Sequence, residues 1–125
     1  MRILVVDDDV EILRPIAKVL TKAGHEVHTA TSALGAVEML RRHDFHLALI
    51  DYELGSPITG VDVAKHAPRG TALIMITGHD PKEMRGEIAD PLAPFLEIIG
   101  KPFTTDDIIR EVARVQRMND DTNPS

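Results

Sequence analysis

The chain has 125 residues, 14 basic and 20 acidic side chains, a formal net charge of −6 and no cysteine. That length suits one domain with a real core, and the missing cysteine excludes disulfides, thiolate metal sites and cysteine nucleophiles. An acidic balance with 3 % aromatic residues argues against direct nucleic-acid binding, which needs clustered Lys and Arg and stacking rings.

Ile3-Leu4-Val5-Val6 is a continuous apolar run closed by Asp7-Asp8-Asp9. Its shortness and β-branched content predict a strand buried on both faces. From Val10 to Ala23, apolar residues at Ile12, Leu13, Ile16, Ala17 and Leu20 keep helical spacing, with Asp9 as a helix cap and Gly24 at the C-terminal cap position. Pro15 predicts a kink or a late start in that helix. Residues 27–30 form a second short strand, and Ser32 caps a helix with Ala33, Ala36, Val37 and Leu40 on one face. Leu47-Ala48-Leu49-Ile50 is a third buried strand that stops at Asp51. Residues 53–60 are a loop punctuated by Gly55, Pro57 and Gly60, and a short helix from Val61 ends before Pro68.

Leu73-Ile74-Met75-Ile76 is a fourth strand, ending at Thr77-Gly78, and Asp80-Pro81 opens the next helix. Residues 95–99 form the fifth strand, with Pro91 and Pro94 just ahead of it. After Gly100-Lys101-Pro102-Phe103, the segment Thr104-Thr105-Asp106-Asp107 caps a last helix whose Ile108, Ile109, Val112, Ala113 and Val115 supply its apolar face. Residues 119–125 read as a flexible polar tail behind a domain at 1–118. Strands alternating with helices imply a parallel sheet covered on both faces, a doubly wound α/β fold. The apolar runs are shorter than the roughly 20 residues of a membrane-spanning helix, and the N-terminus lacks the pattern of a signal peptide. The expected location is the cytoplasm, away from the membrane.

Ligands of such sheets bind beyond the carboxyl ends of the strands. Asp7-Asp8, Asp51, Thr77 and Lys101 stand at four of those ends, so folding gathers them. Three carboxylates together repel unless a cation neutralises them, and oxygen donors alone favour a hard ion such as Mg²⁺. A carboxylate nucleophile, a hydroxyl and an ammonium beside that ion are the equipment of phosphoryl transfer. Each residue taken singly has an ordinary reading, as a turn former, a local hydrogen bonder or a solvated charge. Their joint occurrence at one sheet edge carries the expectation. His25, His28, His43, His46 and His66 show no metal spacing and read as surface or edge residues.

With the motifs Ile3-Leu4-Val5-Val6-Asp7-Asp8-Asp9, Leu47-Ala48-Leu49-Ile50-Asp51, Ile74-Met75-Ile76-Thr77-Gly78 and Lys101-Pro102-Phe103, the chain resembles the receiver domain of two-component response regulators. The resemblance covers roughly residues 1–117. It implies a flavodoxin-like (βα)₅ fold with strand order 2-1-3-4-5. It also implies that Asp51 accepts phosphate from the phosphohistidine of a sensor histidine kinase or histidine phosphotransfer protein. Asp8, Asp51 and the backbone carbonyl of Glu53 would bind Mg²⁺ (or Mn²⁺) directly, and Asp7 through a water. Lys101 would pair with the phosphoryl group, across a Lys101–Pro102 bond that is often cis in this family. Thr77 would turn to a phosphoryl oxygen, and Glu53 and His79 would tune the phosphoryl lifetime. Such a protein is a phosphoprotein switch and not a turnover enzyme.

Departures from the family pattern are visible. Ile98 occupies the switch position three residues before the Lys, where Tyr or Phe is usual, so coupled rotation of an aromatic with Thr77 has no ring to act on. Asp90-Pro91-Leu92-Ala93-Pro94 replaces a segment that is usually small and rich in Gly and Ala, and the loop from Leu54 to Gly60 is one residue longer than the usual form. Two other readings remain open: a haloacid-dehalogenase-like phosphatase using Asp7, and a pseudo-receiver that binds partners without taking phosphate. The expectation is a stand-alone receiver that signals to an unknown downstream protein in trans, with a homodimer left open.

Overall fold

In the computed structural model of the chain, which describes residues 1–87 and 95–122, five strands form one parallel sheet. They are β1 (Arg2–Val6), β2 (Glu26–Ala30), β3 (Leu47–Asp51), β4 (Ala72–Thr77) and β5 (Glu97–Gly100), in the order β2-β1-β3-β4-β5. The central strands are apolar at consecutive positions because both faces of the sheet are covered. Ile3, Val5, Leu49 and Ile74 pack with Leu13 and Ile16 of α1 (Val10–Lys22) and with Ile108 and Val112 of α5 (Thr105–Thr122). Leu4, Val6 and Ile50 turn the other way, onto Ala36 and Leu40 of α2 (Ala33–Arg42) and Val63 of α3 (Gly60–Ala64). On α4 (Pro81–Glu87), Met84 joins Met75 and Ile98 in a third, smaller cluster.

The helix starts follow their caps. Asp9 Oδ1 accepts from the Glu11 N–H at 2.9 Å, and Ser32 Oγ accepts from the Gly35 N–H at 3.1 Å. Thr104 and Asp107 bond reciprocally ahead of α5, in the manner of a capping box. Gly24, just past α1, takes a φ of 96°, a conformation that costs glycine nothing.

Three expectations need correction. Of the kink or late start expected at Pro15, the late start is absent: α1 begins at Val10 and runs through Pro15, which lies on the exposed face where water can reach the carbonyl it leaves unpaired. β5 begins at Glu97 rather than at residue 95, because Phe95 leaves the ladder to pack against the α2–α3 and Met84 clusters. α5 continues to Thr122, so residues 119–122 are helical and not a loose tail. A helix already docked on a sheet extends by one backbone bond per residue at little cost. The segment Asp90–Pro94 and residues 123–125 lie outside the described residues. No helix among the described residues is long and apolar enough to cross a membrane.

Register places the site. Val6 pairs with Ile50, which sets Asp7 level with Asp51 at the carboxyl edge. Asp51 pairs with Ile76 and Thr77 with Gly100, so Thr77 and Lys101 arrive at the same edge. The Tyr52 N–H donates to the Ile76 carbonyl at 2.8 Å and the Lys101 N–H to the Thr77 carbonyl at 2.7 Å, carrying the ladder one residue into each loop.

Candidate functional site

Asp7 and Asp51 are buried, at 1 % and 2 % exposure, while Asp8 faces solvent. One carboxylate oxygen from each of the three lies within 4.8 Å of the others. Asp7 Oδ1 accepts the Asp9 N–H at 2.8 Å, which leaves Oδ2 buried without a hydrogen-bond donor. A buried polar atom without a partner is costly, and native proteins keep few of them. Lys101 Nζ donates to Asp51 Oδ2 at 2.7 Å and stands 3.8 Å from Asp7 Oδ2. One ammonium against three carboxylates leaves the cluster net negative.

Burial pushes the Asp7 carboxyl up to about 6; the Asp9 N–H opposes that rise, the charge of Asp51 adds to it, and Lys101 again opposes. Burial also works against the Lys101 ammonium, but its bond to Asp51 and the charges of Asp51, Asp7 and Asp8 outweigh burial and raise its pKa. The bare Oδ2, the all-oxygen donor set and the uncompensated charge fit a hard divalent cation such as Mg²⁺ or Mn²⁺.

Thr77 is fully buried, and its Oγ1 accepts the His79 N–H at 3.0 Å. The Glu53 N–H donates to Asp51 Oδ1 at 3.2 Å, which holds the β3–α3 loop against the acid cluster. The side chains of Glu53 and His79 meet over the site, Oε1 to Nε2 at 2.5 Å. The Lys101–Pro102 bond is cis. Ile98 is buried with Met75 and Met84 and offers neither a ring nor a polar atom three residues before Lys101. His28 and His43 instead gather around Phe45, on the β2–α2 side of the sheet and apart from the acid cluster.

Three site residues escaped the sequence reading. A Cβ on Gly60 would lie 2.4 Å from the Asp51 carbonyl oxygen, so only glycine lets α3 start this close to β3. Gly55 has a φ of 67°, and a Cβ there would lie 2.9 Å from Asp8 Oδ2. Both were legible only as loop punctuation, because the groups they approach are distant in sequence. Tyr52 follows Asp51 and sets its ring edge-on to His79, centroids 5.8 Å apart.

Residues 3–113 match the family model described as response regulator receiver domain. Among curated proteins, the response regulator receiver protein CpdR of Brucella abortus is 26 % identical over 117 residues, covering 91 % of this chain and 95 % of that one. The acid tolerance regulatory protein ActR of Sinorhizobium medicae is 31 % identical over 98 % of this chain but only 62 % of its own length. A CheY-like receiver domain protein from Methanospirillum hungatei superposes with a TM-score of 0.83 at 27 % identity, covering 96 % of this chain and 97 % of the other. The receiver domain of NtrX from Brucella abortus gives 0.78 at 30 % identity, covering 90 % and 96 %. The chain therefore belongs to the response regulator receiver domain family of two-component systems.

Proposed function

We propose that this receiver takes a phosphoryl group from a phosphohistidine onto Asp51 and passes the signal on by protein contacts in trans. The observation that carries this reading is the meeting of Asp7, Asp8, Asp51 and Lys101 at one sheet edge, with Lys101 Nζ 2.7 Å from Asp51 Oδ2. In the transfer, a bond forms from an Asp51 carboxylate oxygen to phosphorus as the P–N bond breaks, and the histidine nitrogen leaves with that electron pair. Asp8, Asp51 and the Glu53 carbonyl, with Asp7 through a water, would hold a Mg²⁺ or Mn²⁺, which would supply charge neutralisation for the phosphoryl oxygens. Lys101 pairs with the phosphoryl group, and Thr77 donates its hydroxyl to another phosphoryl oxygen. The phosphoryl group adds about −1.5 to −2 charge, and the contacts it gathers bias the loops around it.

Asp7 is the poorer acceptor, which disfavours the phosphatase reading: Lys101 Nζ stands 3.8 Å from Asp7 Oδ2 but 2.7 Å from Asp51 Oδ2. The protein assists its own phosphorylation and dephosphorylation, and so acts as a switch and not as a turnover enzyme on a separate substrate. A sensor histidine kinase or histidine phosphotransfer protein is the donor this chemistry calls for. The apolar groove lined by Ile12, Pro15, Ile16, Pro102 and Phe103 beside Lys101 offers that donor a docking surface. Glu53 and His79 flank the site and set how fast water removes the phosphoryl group; an unchanged phosphoryl half-life in the double alanine variant contradicts that role.

Incubation with a small phosphodonor and Mg²⁺, followed by intact-mass measurement, tests the reading. Wild type gains one phosphoryl mass and Asp51→Asn gains none. An adduct that persists in Asp51→Asn, or none in wild type, overturns it.

A further inference from the structure

Ile98 puts no ring three residues before Lys101 that could follow a movement of Thr77, yet four contacts offer the movement another way out of the site. The backbone N–H of His79 is bonded to Thr77 Oγ1, and the backbone N–H of Glu53 to Asp51 Oδ1. The side chains of these same two residues join across the site at 2.5 Å, and the His79 ring meets Tyr52 at an interplanar angle of 85°. Tyr52 in turn packs against the cluster of Met75, Met84 and Ile98 under α4. Each end of this bridge between the β3–α3 and β4–α4 loops hangs on a residue whose bonding changes when a phosphoryl group arrives.

We propose that Glu53, His79 and Tyr52 form a strap that reports the state of Asp51, with His79 and Tyr52 as positioning residues in place of a switch aromatic at position 98. The proposal rests on Asp51 being the phosphoacceptor. When Thr77 turns its hydroxyl to a phosphoryl oxygen, the His79 N–H loses its acceptor, and an amide left without a partner draws the backbone toward a new one. Charge on Asp51 disturbs the Glu53 end at the same time. The side-chain link is weak enough to exchange, because His79 and Glu53 are 51 % and 66 % exposed and pairs this open contribute little. Release of His79 removes the edge contact on Tyr52, and the Tyr52 ring then resettles against Met75 and Met84, which carries the change to α4.

The chain holds one tyrosine and no tryptophan, so tyrosine emission reads Tyr52 alone. The full chain is titrated with Mg²⁺ and then with a small phosphodonor, with emission and near-UV circular dichroism followed while intact mass reports Asp51 occupancy. The expected result is a Tyr52 signal that moves beyond its value in Mg²⁺ alone, in proportion to occupancy. Compared at equal Asp51 occupancy by intact mass, Thr77→Ser retains this change, whereas Thr77→Ala and His79→Ala lose it. A signal that tracks occupancy equally well in His79→Ala overturns the strap, as does a wild type that fills while its signal stays at the Mg²⁺ value. Failure of wild type to gain mass at all overturns the phosphoacceptor reading itself, and the strap with it.

Discussion

The two ends of the sheet treat polar groups in opposite ways. At the amino end every polar group named has a partner: buried Thr71 donates its hydroxyl to the Phe45 carbonyl at 2.9 Å, and the Arg2 N–H bonds His46 Nδ1 at 2.9 Å. Glu26 sits between His28 and Arg2, which hold its carboxyl below the usual range. At the carboxyl end, burial drives Asp7 the other way, its Oδ2 has no donor, and one ammonium faces three carboxylates. A chain that satisfies its polar groups at one edge and leaves them short at the other marks the second as the place where something from outside completes the structure.

Four changes sharpen or break this contrast. The largest effect falls on Asp51→Asn, which removes phosphoryl incorporation completely by mass, whereas Thr71→Val at the opposite end leaves it unchanged. Lys101→Ala comes next. It strips the buried Asp51 carboxylate of its cation and should lower metal-free stability in urea unfolding by about 1–3 kcal/mol, discounted because Lys101 is partly exposed.

Asp7→Asn acts in the opposite direction. The Asp7 carboxyl titrates near 6 when folded against 3.8 for the ordinary group. Its contribution is therefore fully present below about pH 4 and is lost as pH rises through about 6. Without metal, the Asn variant should be more stable than wild type by about 3 kcal/mol near pH 8 and close to it near pH 4. Saturating Mg²⁺ should erase or reverse that advantage. A variant less stable than wild type throughout, in metal-free buffer, means that Asp7 is satisfied after all. The smallest effect is that of Thr71→Val, about 1 kcal/mol from one lost hydrogen bond, with no change in metal response.

The same contrast explains what could be read from the sequence. β1, β3 and β4 announce themselves because burial on both faces writes a continuous apolar run, and the acids that close β1 and β3 stand out against it. Parallel pairing then makes Asp7, Asp51, Thr77 and Lys101 neighbours, so most of the site follows from strand ends alone. β5 is an edge strand of four residues with Glu97 in it, and the apolar pattern puts its start at Phe95, a residue that serves the core outside the ladder. Gly55, Gly60 and Tyr52 were opaque for a different reason: their roles depend on how closely loops from distant parts of the chain approach Asp8, Asp51 and His79. No local pattern encodes such an approach. The bare Oδ2 of Asp7 is likewise a property of packing.

Calorimetric titration of Mg²⁺ into the full chain, alongside Asp7→Asn, Asp8→Asn and Asp51→Asn, tests most directly whether the acids of β1 and β3 share one ion. One site per chain is predicted, weakened by about tenfold or more in Asp8→Asn and Asp51→Asn and less in Asp7→Asn. No binding heat, or an affinity indifferent to all three substitutions, would contradict it.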